Sequence, residues 1–523
     1  MSDPREIELK LDVPSDSLRR LAASSLLKSA GETAPRRSKL VSVYYDTGEH
    51  KLHRKGLSLR VRRVGRRLVQ TVKQENGGNG GLFARNEWER EISGSQLDLD
   101  AVADTALAPL LSKKVRRGLK PVFETRVRRK VIQIRNGESD IEFCIDNGIV
   151  AAGRKSAPLC EVELELKRGR SADLFGLAKA LAKEIPLQLA IKSKADRGYD
   201  LIADEKPKAV KAAAILFAPA ADAQTAFQAI GRACLQQLVA NRPVMLDNNA
   251  EGLHQMRVGL RRLRAAISLF SGMLADPQTN ALKAEFKWIA SELGPAREFE
   301  VFLKRVVKPV ADRRRNGAGV AVVTRELRRK RKAAYQRARI AVDSARFRNL
   351  ALETAAWIEA GDWVHDPDDF RRALRQQPIA AVAAAQLRRR RKKILKKGRH
   401  LGDLDAPHRH KLRIQAKKLR YAAEFFTAAF PRKKSIRRFE RFVECLAKLQ
   451  DALGELNDIA VHEELSVQLL PGSDDHVRRG NGSAKKAFAA GRLAGHEEAR
   501  VVPVLKEAER AYAEFAEAKP YWA

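Results

Sequence analysis

Up to about residue 200, apolar and polar side chains alternate in short runs: Glu6-Ile7-Glu8-Leu9-Lys10-Leu11, Leu57 to Val64, Val69 to Lys73, Ile141 to Asp146 and Glu161 to Lys167. A period of two puts one face of a strand on a core. Such punctuated runs predict an antiparallel sheet or barrel, with helices near Ser15 to Ala30 and Ala172 to Lys183. From about Ala223 the apolar positions recur every 3.6 residues and alternation nearly vanishes, which predicts an all-helical region. The stretch Asp204 to Ala221, Lys-Pro-Lys and then rich in Ala, reads as a linker. The expected architecture is a multidomain α+β chain: an antiparallel β tunnel or barrel over 1–203, a linker over 204–222 and a helical domain over 223–518. Helix breaks are expected at Ala311 to Ala318, Gly361 to Asp369, Gly402 to Pro407 and Pro471 to Ser483.

The helical region repeats itself. His254-Gln-Met-Arg257-Val-Gly-Leu-Arg261-Arg262-Leu-Arg264 is followed by Leu293-Gly294-Pro-Ala-Arg297-Glu298. Later, His410-Lys-Leu-Arg413-Ile-Gln-Ala-Lys417-Lys418-Leu-Arg420 is followed by Leu453-Gly454-Glu-Leu-Asn457-Asp458. Two separate similarities at nearly equal separation predict two related helical bundles.

Charge sharpens this picture. With 101 Lys+Arg against 64 Asp+Glu the chain carries +37, far beyond what solubility asks for, and implies a polyanionic partner. Of that excess, +10 falls up to Glu205 and +27 beyond it. Basicity alone does not separate nucleic acid, anionic membrane and polyphosphate. The cysteines Cys144, Cys160, Cys234 and Cys445 show no C-x-x-C spacing, so neither a zinc knuckle nor a disulfide framework is indicated. The chain opens without an apolar h-region, and nowhere do eighteen uncharged apolar residues run together; the expectation is a cytoplasmic protein with no membrane span.

Candidate chemistry begins on the strands. Residues two apart share a face, so Glu6, Glu8 and Lys10 point one way, and Glu161, Glu163 and Glu165 do likewise on a later strand. Each row could be the solvated outer face of an amphipathic strand. Enclosed, like charges at ~5 Å and an effective dielectric of about 20 repel by roughly 3 kcal/mol per pair, and demand cations. Arg60 and Arg62, Lys73, and Arg85 ahead of Glu87 and Glu89 supply these at the same parity. Acidic and basic strands around one cavity would suit several linked phosphates with a divalent metal, and oxygen-only ligands favour Mg²⁺ or Mn²⁺.

Glu6-x-Glu8-x-Lys10, Tyr45-Asp46-Thr47, Leu59-Arg60-Val61-Arg62, Thr71-Val72-Lys73, Arg85-x-Glu87, Phe123-x-Thr125-x-x-x-Arg129, Glu163-x-Glu165 and Lys192-Ser193-Lys194-x-x-Arg197-Gly198-Tyr199 together resemble the CYTH domain, or triphosphate tunnel metalloenzymes, over about residues 3 to 203. The resemblance implies a closed β tunnel that hydrolyses a triphosphate. Glu6, Glu8, Glu163 and Glu165 would hold the metal, with Lys10, Arg60 and Arg62 nearest the reacting phosphoryl. Lys73, Arg85, Arg129, Lys192 and Arg197 would grip phosphate oxygens. Asp146 and Glu142 share a face; each could serve the site or form a structural ion pair.

On a helix, offsets of 0, 3, 7 and 10 fall on one stripe. His254, Arg257, Arg261 and Arg264 obey this rule, as do His410, Arg413, Lys417 and Arg420. One such stripe is ordinarily a solvated face; the same stripe in both copies points to a binding surface. With Leu449-Gln450-Asp451-Ala452-Leu453-Gly454-x-x-Asn457-Asp458, the stripes resemble the CHAD domain over roughly residues 223 to 515. That resemblance implies a surface for long-chain inorganic polyphosphate, and association with polyphosphate granules. Aromatic residues make up only 6% and are absent from both stripes, which disfavours base stacking and hence nucleic acid. The histidines would add charge below about pH 6.5 and strengthen binding on acidification. The expected activity is that of an inorganic triphosphatase. The alternatives are a polyphosphate-binding protein without turnover, or a triphosphatase acting on a thiamine or nucleoside triphosphate.

Overall fold

The computed structural model of the protein describes residues 5–31, 34–74, 80–204, 206–312, 318–467 and 481–522. Two of the expected helix breaks, at Ala311 to Ala318 and Pro471 to Ser483, fall largely outside them. Contacts divide the chain into two compact units. One comprises Met1–Ala213, Gly231–Val244 and Asp343–His365; the other comprises Ala214–Ile230, Met245–Val342 and Asp366–Ala523. No described helix is long and apolar enough to cross a membrane.

In the first unit, β1 (Arg5–Asp12), β2 (Arg36–Asp46), β3 (Leu57–Val64), β4 (Arg67–Gln74), β5 (Leu82–Ile92), β6 (Lys120–Asn136), β7 (Ser139–Ala152) and β8 (Lys155–Arg168) form an antiparallel sheet. The order is β5-β4-β3-β2-β6-β7-β8-β1, and β5 pairs back onto β1 to close a barrel of eight strands. A short β9 (Gln188–Leu189) joins the far end of β1.

Alternation decides what each face meets. Leu9 and Leu11 point outward and are fully buried. The outer surface of β1 and β8 is covered by the helix Ser171–Ala182, which buries Leu174, Phe175 and Leu181. On β3 and β4 the outward Leu57, Leu59 and Val72 are covered by Val102, Leu107, Leu111 and Val115 of the β5–β6 connection. The strands are thus covered on both sides, and their other row faces a closed interior.

One end of that interior is plugged. Leu40, Tyr44, Phe123, Val127, Val150 and Leu159 pack with Ala195 and Tyr199 of the helix Lys194–Ala203. The Tyr199 hydroxyl donates to the buried Asp46 carboxylate at 2.8 Å. A Cβ at Gly198 would stand 2.2 Å from the Phe123 ring, so only glycine lets the helix seat this closely. The segment expected as a linker has no regular structure over residues 206–217, yet Asn241 holds it, exchanging two hydrogen bonds with the Val210 backbone.

In the helical unit the repeat is metrically regular. Helices begin at Ala223, Ala250 and Pro277 in the first copy and at Ile379, Ala406 and Lys433 in the second, each pair 156 positions apart. Asn249, Asp276 and Asp405 accept hydrogen bonds from the first-turn amides of their helices, which fixes three of these starts.

Candidate functional site

The barrel encloses a cavity of about 220 Å³ whose lining carries eight cationic side chains and seven carboxylates. Strand register builds it. Lys10 lies opposite Glu163, Glu8 opposite Glu165, Glu6 opposite Arg85, and Lys73 opposite Glu87. Ten of the twelve residues expected in the tunnel line it: Glu6, Glu8, Lys10, Arg60, Arg62, Lys73, Arg85, Arg129, Glu163 and Glu165.

The other two stand outside the cavity. Lys192 is half-exposed and pairs with Asp200 at 2.6 Å; Arg197 binds Asp12 and approaches Glu161 at 3.7 Å. Ser193 is the reason. It caps the helix Lys194–Ala203 in a reciprocal capping box with Asp196, leaving Lys192 before the turn and sending the first helical side chain, Lys194, into the barrel.

Lys194 is the principal residue that sequence reasoning missed. Its ammonium lies 2.8 Å from Asp146 and 2.8 Å from Glu163, and also bonds Glu161. Burial opposes the charge, but these carboxylates together hold it well above the usual lysine range. Asp146 and Glu161 are fully buried. Against the penalty of burial, Lys10, Lys194 and Arg129 keep Glu163 far below the ordinary carboxylate range. Asp146 pairs with Arg129 at 2.6 Å, the structural alternative weighed for it above.

Most remaining cations are matched. Lys10 contacts Glu163 at 2.5 Å and Glu8 at 3.1 Å. Arg85 binds Glu6 at 3.1 Å and also Glu8, while Lys73 joins Glu6 at 2.9 Å and Glu87 at 2.8 Å. Arg60 shares Glu87 and Glu89, each at 3.4 Å. Arg62 differs: among the described residues its guanidinium donates only to Ser42 Oγ at 3.1 Å and meets no carboxylate. Burial, then Arg60 and Arg129, push it down to about 10.

The residues fit a hard divalent cation. Burial holds the Glu165 carboxyl above its ordinary value; Lys167 offsets this in part, while Glu6 and Glu142 add repulsion. This acidic flank, rather than the buried Asp146–Glu161 pair, is where positive charge is wanted. Asp146, Glu161 and Glu163 bring carboxylate oxygens within 4.8 Å of one another with Lys194 already among them, and of the three only Glu163 lines the cavity. An all-oxygen donor set suits Mg²⁺ or Mn²⁺.

In the helical unit, the stripe helices Ala250–Leu269 and Ala406–Phe425 pack together and, with Lys283, enclose a cavity of about 680 Å³. Arg261, Arg264, His410, Arg413 and Lys417 of the stripes line it; His254, Arg257 and Arg420 do not. His410 is bonded to Asn457, and Arg420 is held by Glu424 at 3.0 Å. Arg257 donates to the Ala290 carbonyl at 3.4 Å. Burial and the Arg297 charge push His254 down to about 4, so it stays neutral where the sequence reading expected it to gain charge. Lys417 is pushed down to about 7 by burial and then by Arg413 and Arg261.

The family model of the CYTH domain matches residues 4–199, and that of the CHAD domain matches residues 229–466. An inorganic triphosphatase of Haemophilus influenzae is 31% identical over 160 residues, 31% of this chain and 45% of that protein, so the match spans less than half of that relative's length. Among solved structures, the CHAD domain of the plant Ricinus communis is 28% identical, with 59% of this chain and 97% of that chain covered at a TM-score of 0.49. The Hippeastrum protein HpAC1, described with a dominant triphosphatase activity, is 18% identical, with 38% of this chain and 97% of that chain covered at a TM-score of 0.30.

Proposed function

We propose that this chain, in which a CYTH domain precedes a CHAD domain, hydrolyses inorganic triphosphate in a metal-dependent reaction inside the barrel and holds polyphosphate on its helical half. The observation that carries the reading is an enclosed cavity with nearly balanced charge in which Arg62 has no carboxylate partner. A buried cation without a partner is costly unless an anion completes it. Several linked phosphates would supply that anion, and their excess negative charge is what a divalent cation held by Glu6, Glu8, Glu163 and Glu165 would offset.

Phosphoryl transfer asks a protein mainly for positioning and for charge aimed at the reacting group. Arg60 and Arg62 project from β3 and Lys10 from β1, with β4 and β5 between them, and each is oriented by a partner: Arg60 by Glu87 and Glu89, Arg62 by Ser42, Lys10 by Glu8 and Glu163. Their directions are therefore set before substrate arrives, and little reorganisation is left for the transition state. Lys73, Arg85 and Arg129 grip the outer phosphate oxygens. The metal, when bound, neutralises charge on the phosphates and polarises the bond that breaks. The cavity favours inorganic triphosphate over an organic one: among the described residues Tyr44 is its one aromatic lining residue, a poor platform for a base or a thiazole ring. Purified protein given tripolyphosphate with Mg²⁺ or Mn²⁺ should release orthophosphate; chelation should stop it, and Glu6→Ala or Lys10→Ala should cut it steeply. Release that survives chelation or both substitutions refutes the reading.

For the helical half, convergence of Arg261, Arg264, Arg413 and Lys417 on one cavity supports polyphosphate binding. Its pH dependence follows from Lys417. Burial, and then the neighbouring cations, depress its charge in the free protein, and a bound polyanion would restore it. Affinity should therefore fall as pH rises from 6 to 8, and Lys417→Arg should flatten that profile. A flat wild-type profile, or a slope retained in Lys417→Arg, would assign the titration elsewhere.

A further inference from the structure

A second basic cavity of the helical unit, about 280 Å³, lies where the end of the first-copy stripe helix meets the helix Ile379–Gly398. Arg389, Arg390 and Lys393 enter it from that helix, Lys418 from the second stripe helix, and Ser268 and Ser271 close it. Among the described residues none of the four cations pairs with a carboxylate. Arg389 reaches only the Gln386 amide oxygen, at 3.0 Å. Arg390 is 7% exposed, and its Nε has no hydrogen-bond partner. Burial and Arg389 push Arg390 down to about 10, and Lys418 is lowered by burial and then by Arg390 and Lys393. A buried guanidinium held against like charges without a counter-ion is a standing cost, which an anion would remove.

The repeat shows that this is not the family's shared stripe. Stepping back 156 positions from Arg389, Arg390 and Lys393 gives Ala233, Cys234 and Gln237 in the first copy. The positions matching Ser268 and Ser271 in the second copy are Glu424 and Thr427. The pseudo-symmetric counterpart of the cavity thus has Ala, Cys and Gln in place of three of the four cations and Glu424 in place of Ser268. The cavity shares Ser268, Ser271 and Lys418 with the larger one lined by Arg261, Arg413 and Lys417, so the two adjoin. An anion lying along the stripes would run into this closed, more densely charged space.

We propose that this cavity captures the terminal phosphate of a polyphosphate chain, and so fixes the chain by its end; the inference rests on the reading of the helical half as a polyphosphate binder. An end phosphate carries more negative charge than an internal one, because it has one fewer bridging oxygen. A site with four unpaired cations and two hydroxyl donors selects for that difference.

The test uses the full chain without divalent metal and two polyphosphate probes of equal length, one with free ends and one with both ends blocked as phosphoramidates. Wild-type protein should bind the free-ended probe about tenfold more tightly. Arg390→Gln with Lys393→Gln should abolish the preference, binding both probes as wild type binds the blocked one. Arg257→Ala with Arg413→Ala should weaken both while keeping the ratio. Because the removed charges are unpaired, the Tm of the Arg390→Gln, Lys393→Gln protein should be unchanged or higher, which separates a lost site from a lost fold. Equal affinity of the two probes for wild type, or a preference that survives the double substitution, overturns end capture. If neither probe binds, the polyphosphate reading itself fails.

Discussion

Lys194→Ala should destabilise the barrel by about 3–5 kcal/mol at neutral pH, because it strips the central cation from three buried carboxylates. Asp146 and Glu161 are fully buried and Glu163 is 7% exposed, so water cannot replace the ammonium. The effect has a definite sign against pH. Although burial opposes it, Lys194 and Arg129 hold Asp146 below its ordinary value, and Lys10, Lys194 and Arg129 do the same for Glu163. Stability from these two groups is fully present above the unfolded carboxylate range and is lost as pH falls below that range, through their lowered folded values. Glu161 has the opposite sign, since burial lifts it above its usual value despite Lys194, but it is one group against two. In the variant all three carboxyls would fold more easily protonated. The difference from wild type should thus grow from pH 4 toward pH 7, as ionising the three carboxyls in the variant becomes increasingly costly. Hydrogen-exchange protection of β7 and β8 amides, corrected for intrinsic rates at each pH, measures it. A loss under 1 kcal/mol at pH 7, or one indifferent to pH, would mean that the carboxylates do not depend on this ammonium.

Lys194 also marks where the sequence was readable and where it misled. Strand parity alone gathers Glu6, Glu8 and Lys10 on one face and Arg60 with Arg62 on another, because alternation survives any detail of barrel closure. Parity fails at Lys192, where the extended chain ends and a helix begins. The signal was nevertheless present. Ser193-Lys194-Ala195-Asp196 is a capping-box pattern, and the structure forms that box, which turns Lys194 inward and Lys192 outward. The closure of β5 onto β1 is a long-range pairing with no local trace, so the enclosure that makes the carboxylate rows costly could be argued only from their charge.

The helical half was legible in its repeat and less so in its contacts. A stripe of period 3.6 says which residues share a face, not which faces meet. Arg264 and Arg420 hold equivalent positions 156 apart, yet Arg264 lines the cavity while Glu424 ties Arg420 down. His254 leads its stripe, but burial and then the Arg297 charge keep it neutral. The cavity around Arg390 leaves no mark in the repeat because Arg389, Arg390 and Lys393 have no cationic counterparts 156 positions earlier.

Arg62→Met should lower kcat/KM for tripolyphosphate by on the order of 10²–10³, the usual cost of removing one pre-aimed donor to a developing charge, while leaving stability unchanged or slightly improved. The second half follows from its lack of a carboxylate. Burial, then Arg60 and Arg129, depress the guanidinium to about 10, below its unfolded value, so at neutral pH its charge works against the folded state. Arg129→Met is the contrast. Burial opposes that charge too, but Glu163 and Asp146 more than compensate, and removing Arg129 takes a guanidinium from both carboxylates and leaves Lys194 to serve them. Arg129→Met should therefore lose stability and turnover together. An Arg62→Met protein that keeps turnover within about threefold of wild type would show that the unpaired guanidinium is not where the phosphates bind. A variant that unfolds as Arg129→Met does would show that Arg62 has a structural partner after all.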